Sequence, residues 1–259
     1  MKFIDLSVTI ENNLPSDPQE MIPQITYIDH EKSIPDMLKF FGSAQKEDLP
    51  DELAWAIERI VLTTHTGTHL DAPYHYHPTM DKGQTAWTID EIPLDWCYGD
   101  GIVLDFSEKP DGYKLNVEDF KSALAKIDYV LKEKDIVLIR TGAAQNWGTP
   151  KYLVSGCGVG REATLWLLEQ GIHIVGTDAW SWDIPLPYIA KEFDITGDSS
   201  IIWEGHFAGI EKKYCHIEKL TNLDLLPATG FKLSCYPIKI KNASGGWIRA
   251  VAMIEEETI

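Results

Sequence analysis

Residues 64–77 read THTGTHLDAPYHYH, and this stretch holds four of the eight histidines of the chain. The residues from 65 to 71 alternate so that, in an extended strand, His65, His69 and Asp71 share one face. A straight strand would still separate His65 from His69 by about 13 Å, because each residue adds ~3.3 Å. One zinc ion cannot hold both imidazoles at that separation, since its nitrogen ligands lie ~2.0–2.1 Å away. We therefore predict a bend at Gly67, where the backbone can adopt unusual angles.

Two imidazoles and a carboxylate suit a divalent first-row metal ion that keeps open positions for water. A histidine pair four residues apart also occurs on helices of zinc proteases, but the glutamate of that motif is missing here. The β-branched residues and the central glycine oppose a helix, and Pro73 favours extended geometry at Ala72. We predict the end of a strand that runs into a loop. A histidine-rich surface turn is the alternative interpretation.

The same stretch resembles the H-x-G-T-H-x-D-x-P-x-H motif of the Putative cyclase family of metal-dependent hydrolases, and residues 65–75 match every fixed position. That family includes bacterial kynurenine formamidases, isatin hydrolases and trans-dienelactone hydrolases. The resemblance implies a divalent ion, Zn²⁺ or Mn²⁺, held by His65, His69 and Asp71. It also implies that His75 is a catalytic acid or base.

A second candidate cluster lies more than 130 residues downstream, where His206 and Glu218 are twelve residues apart. Alone, such a pair is more typical of a packing histidine and a solvated glutamate. The resemblance to kynurenine formamidases implies instead that the pair completes a two-metal site, with Asp71 as the bridge. We set His216 aside as one residue out of phase with the pattern around Glu218. His77 is a weaker candidate because it lies outside the motif.

Composition limits the possible partners and location. The chain has 259 residues, of which 44% are hydrophobic, and its net charge is −17 from 23 basic and 40 acidic residues. This balance argues against nucleic acid and anionic membranes, which require clustered lysine and arginine. The four cysteines form no C-x-x-C pair, and no apolar stretch approaches the ~20 residues of a membrane span. Asp5 falls where a signal peptide needs an apolar run. We predict a cytoplasmic protein.

The remaining pattern predicts a mixed α/β fold. Apolar strands alternate with helices in the middle of the chain, as in βαβ units, and the tail reads as an antiparallel hairpin. The predicted strands are 3–10, 58–64, 101–106, 135–141, 172–177, 231–241 and 247–255, and the predicted helices are 116–125 and 160–170. We assign one domain, 1–259. The resemblance implies a swivelling β/β/α fold of the cyclase type.

The chemistry expected of such a site is hydrolysis by metal-bound water, whose pKa the ion lowers toward ~7. His75 would move the proton from water to the leaving atom, and Glu218 is the alternative base if one ion binds. No G-x-S-x-G nucleophile motif is present. Trp87 and Trp180, together with Trp182, are candidates for an aromatic wall against a planar substrate, although tryptophan is more often core.

The leading hypothesis is therefore a hydrolase of an amide C–N bond, in a formamide or a cyclic amide. The alternatives are a lactone hydrolase with the same site and a metal-binding homologue without catalysis. The family forms homo-oligomers, and long loops here carry apolar residues that commonly mark interfaces: Phe40, Phe41, Leu186, Tyr188 and Ile189. We predict at least a homodimer, with a loop of one subunit near the site of another.

Overall fold

A nine-stranded mixed sheet forms the centre of the protein in a computed structural model that describes residues 1–255. The strands, in chain order, are β1 Lys2–Asp5, β2 Gln24–Ile28, β3 Ile57–Val61, β4 His69–Asp71, β5 Thr79–Met80, β6 Gln84–Thr85, β7 Tyr98–Asp105, β8 Lys114–Leu115, β9 Ile136–Arg140, β10 Gly158–Val159, β11 Ile174–Thr177, β12 Cys215–Glu218, β13 Phe231–Ser234, β14 Gly245–Trp247 and β15 Val251–Ile254. The α-helices are α1 Ile34–Leu38, α2 Pro73–Tyr76, α3 Val117–Lys126, α4 Arg161–Glu169, α5 Leu186–Thr196 and α6 Glu204–Phe207.

The large sheet has the order β1-β15-β13-β7-β9-β11-β12-β4-β14, and its middle strands β7, β9, β11 and β12 are parallel. Successive residues of β9 point to opposite faces. Val137 and Ile139 pack with the residues of α3 and α4, whereas Ile136 and Leu138 pack on the other face with residues such as Leu70. Both faces are covered, which explains why these strands read as apolar runs. Among the helices of residues 1–255, none is long and apolar enough to cross a membrane.

The mixed α/β prediction is confirmed. The predicted helices agree with α3 and α4 to within a residue at each end, and Asn116 caps α3 by accepting hydrogen bonds from two backbone N–H groups of the first turn, at 2.9 and 3.2 Å. The tail differs from a simple hairpin. β13 and β15 do pair antiparallel, but β14 lies between them in sequence and joins β4 instead. Residues 256–259 of the predicted domain lie outside the described residues.

The histidine motif itself differs from the expected strand end. The strand before it, β3, stops at Val61 and pairs only with β2, in an exposed two-stranded ribbon. A turn follows, in which Gly67 has the expected left-handed conformation with φ of 65°. The chain then enters β4, a buried strand between β12 and β14, and continues directly into α2. The motif therefore consists of a turn, a strand and a helix. Its strand, β4, is paired with β12 on one side and with β14 on the other.

Candidate metal centre

Two neighbouring strands and two short helices place the candidate ligands. β4 and β12 are antiparallel, with Asp71 opposite His216 and His69 opposite Glu218. Residues two apart on a strand share a face, so all four side chains project to the same side of the sheet. The helix α2 adds His75 and the helix α6 adds His206.

The motif histidines surround the Asp71 carboxylate. His65 Nδ1 lies 2.7 Å and His69 Nε2 3.1 Å from Asp71 Oδ1, and His75 Nε2 lies 3.7 Å from Oδ2. The rings of His65 and His75 stack at 4.0 Å between centroids, and those of His65 and His69 are 5.0 Å apart. The turn at Gly67 thus removes the separation that a straight strand would impose.

The downstream residues meet the motif at the same carboxylate. His216 Nε2 lies 2.8 Å from Asp71 Oδ2 and 3.1 Å from Glu218 Oε1. His206 Nε2 is 3.6 Å from the same Glu218 oxygen, and His69 Nε2 is 3.7 Å from the other. The structure therefore brings His206 and Glu218 close to the motif, the proximity that the family resemblance implied.

These residues could bind a metal ion, because several of their ligand atoms lack hydrogen-bond partners. Several buried atoms have no hydrogen-bond partner although they lie close together: His65 Nδ1, His69 Nε2, both carboxylate oxygens of Asp71 and His216 Nε2. A buried polar atom without a partner costs ~1–3 kcal/mol, and coordination of a cation would remove that cost. The donors form two groups in which all atoms lie within 4.8 Å of one another, and both groups include Asp71.

The two groups differ in burial. His65, Asp71 and His75 form the outer group, and its two histidines line a cavity. The inner group is more deeply buried and consists of Asp71, His206, His216 and Glu218, of which His206 and Glu218 also reach the wall of the same cavity. A metal at the outer group could keep open positions for water and substrate, whereas the inner group already offers four protein ligands.

The second ring nitrogen of four histidines is engaged outside the cluster, as is usual for metal-binding histidines. The contacts are His65 Nε2 to Ser244 Oγ at 2.9 Å, His69 Nδ1 to the Gly67 carbonyl at 2.8 Å, His206 Nδ1 to Asp183 Oδ2 at 2.5 Å, and His216 Nδ1 to the Tyr76 hydroxyl at 3.2 Å. Each contact fixes the orientation of its ring, so the remaining nitrogen faces the carboxylates.

Burial and mutual charge set the protonation of the cluster. Burial lowers the pKa of His75 to about 4, despite the charge of Asp71, so its imidazole is neutral near pH 7. Burial also disfavours the charged form of His216, but the carboxylates of Asp71 and Glu218 outweigh it and raise the pKa of His216 to about 9. Burial would raise the pKa of Glu218, yet His216 overrides it and the pKa falls to about 2. Metal binding would have to displace the His216 proton.

His216 is the residue that the sequence interpretation missed. Its exclusion on phase is wrong in physical terms, because positions 216 and 218 share one face of β12. The period of two in Cys-His-Ile-Glu was the available signal. His77, the other candidate set aside, makes its side-chain contacts with Thr79.

A cavity of about 600 Å³ opens over the outer group, and most of its wall is apolar. The helix α5 contributes Leu186, Ile189 and Phe193 to one side. Trp180 and Trp203 also lie at the wall, and the Trp180 indole N–H donates to Asp17 at 2.8 Å.

The other two tryptophans have different surroundings. Trp87 is not among the residues that line this cavity, because it packs against Trp96 in the core beneath the sheet. Trp182 is fully buried, and its indole N–H donates to Thr164 at 3.0 Å. Of the two tryptophans predicted to touch substrate, the structure places Trp180 at the cavity and Trp87 away from it.

Comparison with known proteins identifies the family. The family described as Putative cyclase matches residues 4–184, more than half of the chain. The chain belongs to this family. The matched part includes the motif from His65 to His75 and ends before α6 and β12, so the family match does not itself cover His206, His216 or Glu218.

Individual relatives are consistent with this assignment. A kynurenine formamidase from Salinibacter ruber is 26% identical over 201 residues, which are 78% of this chain and 81% of that protein. Isatin hydrolase A from Labrenzia aggregata, solved with benzyl benzoate bound, superposes with a TM-score of 0.72 at 26% identity, over 98% of this chain and 94% of its own. Isatin hydrolase A from Ralstonia solanacearum gives a TM-score of 0.75 at 23% identity, over 98% and 92% of the two chains. The cyclase-type fold that the motif implied is therefore confirmed.

Proposed function

We propose that this member of the cyclase family is a metal-dependent hydrolase that cleaves an amide C–N bond in a formamide or a cyclic amide. The observation that carries the proposal is the Asp71 carboxylate, which lies below a cavity and is surrounded by imidazole nitrogens without other partners. The names of its relatives, kynurenine formamidase and isatin hydrolase, support the reaction class. When bound there, Zn²⁺ or Mn²⁺ would lower the pKa of water and polarise a carbonyl.

The residues proposed to hold one or two ions are His65, His69, Asp71, His206 and Glu218. His75 is proposed as the acid–base group. Its ring faces the cavity, and its pKa near 4 leaves it neutral and able to accept a proton at physiological pH. The same imidazole, once protonated, can return the proton to the leaving nitrogen.

The wall of the cavity favours an uncharged, planar or aromatic substrate. Among the described residues at the cavity, Lys219 is the only lysine or arginine, and its ammonium is already engaged by Asp17 and by the His65 carbonyl. A substrate with a free carboxylate would therefore find no unpaired cation side chain there. This favours a neutral cyclic amide such as isatin over N-formylkynurenine, whose amino-acid end is charged.

A substrate panel tests the proposal. The protein, loaded with Zn²⁺ or with Mn²⁺, is assayed with isatin, N-formylkynurenine and a dienelactone. We expect turnover of an amide, with isatin preferred, and loss of turnover after chelation. Hydrolysis of the lactone alone would establish the alternative ester chemistry. Metal-loaded protein that hydrolyses none of the three would contradict the proposal.

Location and assembly are proposed on separate grounds. The four cysteines are buried and unpaired, which is typical of a protein from a reducing compartment, and we propose the cytoplasm. We also propose at least a homodimer. Large apolar side chains are exposed on the ribbon of β2 and β3 and on the segment between its strands: Tyr27, Phe40, Phe41, Ile57, Ile60 and Val61.

A further inference from the structure

His216 has the environment of a ligand rather than of a packing histidine. It is fully buried, and its Nε2 lies 2.8 Å from Asp71 Oδ2 and 3.1 Å from Glu218 Oε1. Neither approach has hydrogen-bond geometry, so Nε2 has no hydrogen-bond partner, and both oxygens of Asp71 are in the same state. Three potential ligand atoms thus lie close together without forming hydrogen bonds to one another.

The opposite side of the ring is held by two tyrosines. His216 Nδ1 lies 3.2 Å from the Tyr76 hydroxyl and 3.4 Å from that of Tyr214. The Tyr214 hydroxyl donates to the Gly205 carbonyl, and the Tyr76 oxygen accepts the backbone N–H of His216, so both oxygens can act as acceptors toward the ring. With Nδ1–H as the donor, loss of the proton on Nε2 would leave the lone pair of that nitrogen facing the carboxylates. Metal-binding histidines have this arrangement.

We propose that His216 is a metal ligand, and that with Asp71, His206 and Glu218 it completes a four-residue ion position. Two imidazoles and two carboxylates match the donor types of divalent zinc sites, and four protein ligands are typical of structural positions. An ion at this inner position would have four protein ligands, whereas the outer group offers fewer and keeps more positions open for water and substrate. The inference concerns metal binding alone and holds whichever bond the enzyme cleaves.

The competing explanation is that His216 is a charged partner of two buried carboxylates and never meets a metal. The two explanations differ in what the side chain does to zinc binding. A ligand contributes directly to binding, and even groups that only orient ligands change metal affinity by ~10–100-fold. A partner without metal contact would leave the number of bound ions unchanged.

The first experiment measures zinc binding by the full chain. Protein freed of metal with a chelator is titrated with Zn²⁺ in a calorimeter, and the bound metal is counted by elemental analysis after dialysis. His216→Asn removes Nε2 but keeps a polar atom near the tyrosines. His173→Asn is the matched control, because His173 stacks on Trp96 away from the cluster. We expect two equivalents in the wild type and in the control, and loss of one equivalent in His216→Asn.

Unchanged stoichiometry in a folded His216→Asn variant would overturn the proposal, even if the affinity falls, because a residue that only orients the ligands can lower the affinity. A second measurement applies if that variant does not fold. Crystals of the wild type with Zn²⁺ are examined for anomalous signal, and an ion ~2.0–2.2 Å from His216 Nε2 supports ligation. Ions found only at the outer group, or more than ~3 Å from Nε2, would overturn it. Because neither measurement uses a substrate, failure of the proposed amide hydrolysis would not affect the result.

Discussion

At the residue scale, the centre depends on keeping one buried carboxylate ionised. Burial favours the neutral acid, but the three motif histidines outweigh it and hold the pKa of Asp71 well below its usual range. An ionised carboxylate without access to water is stable only when opposite charge is close. Near pH 7 the protonated His216 supplies that charge in metal-free protein, whereas the imidazole of His75 is neutral, and a divalent ion would replace the charge of His216.

Substitution of His75 tests whether this residue acts as the acid–base group or as a metal ligand. We expect His75→Ala to lower kcat by ~10²–10⁴-fold, the usual contribution of an acid–base group, while elemental analysis finds the metal retained. His77→Ala is the control, since His77 is two residues away and contacts Thr79. Loss of metal together with activity would make His75 a ligand of the outer group, and near-normal kcat would leave Glu218 as the better candidate for the proton shuttle.

His216 makes the stability of metal-free protein depend on pH. Its pKa is about 9 in the folded state, against ~6.5 unfolded, so its stabilising contribution is complete below pH 6.5 and is lost as the pH rises to 9. The loss can reach about 3 kcal/mol in the free energy of unfolding. We expect urea unfolding with a chelator present to show this decline in the wild type and a much smaller one in His216→Asn. Parallel curves for the two proteins would show that another group causes the decline.

At the element scale, β12 shows which features of the site could be predicted from the sequence and which could not. The glycine bend, the ligand types of the motif and the helix cap at Asn116 follow from local chemistry, and all were predictable. The pairing of β4 with β12 was not, because it joins segments about 145 residues apart. Without that pairing, the sequence does not show that the face shared by His216 and Glu218 lies beside the motif. The prediction that Trp87 touches the substrate was wrong for the same reason, because the position of Trp87 depends on its packing against Trp96.

The helix α5 is an element whose two sides should differ in function. Phe193 lines the cavity and is 36% exposed, whereas Ile195, two residues later, is 77% exposed and does not line it. We expect Phe193→Ala to raise KM for an apolar aromatic amide by roughly tenfold, the effect of losing about 1.4 kcal/mol of apolar contact. Ile195→Ala should leave KM unchanged. Steady-state kinetics of the two variants decide it, and equal KM values would show that α5 does not contact the substrate.

At the scale of the whole molecule, the apolar runs of the sequence predicted the central strands, which carry the core on both faces. The buried charged residues could not be predicted in this way. Lys219 is 1% exposed and follows β12 in a left-handed conformation, with its ammonium on Asp17 and on the His65 carbonyl. No local pattern distinguishes such a lysine from a solvated one. It ties the N-terminal segment, the motif and β12 together beside the cavity, which only the complete fold can show.

The ribbon of β2 and β3 is a two-stranded element that makes few contacts with the rest of the fold. Such ribbons are marginal alone, and here every residue of β3 is exposed. The ribbon starts three residues after Met21, which lines the cavity. A second copy of the chain covering the ribbon would bury its apolar residues and bring a partner close to the site.

We therefore expect the wild type to be at least a dimer by light scattering at micromolar concentration. Val61→Lys places a charge on the ribbon, where Val61 is 61% exposed, and should yield monomers with reduced kcat/KM. Val130→Lys is the matched control, because Val130 is 84% exposed and follows α3, outside the ribbon. It should remain a dimer with unchanged activity. A wild-type monomer with full activity would exclude the interface, and a dimeric Val61→Lys variant would place it on another surface.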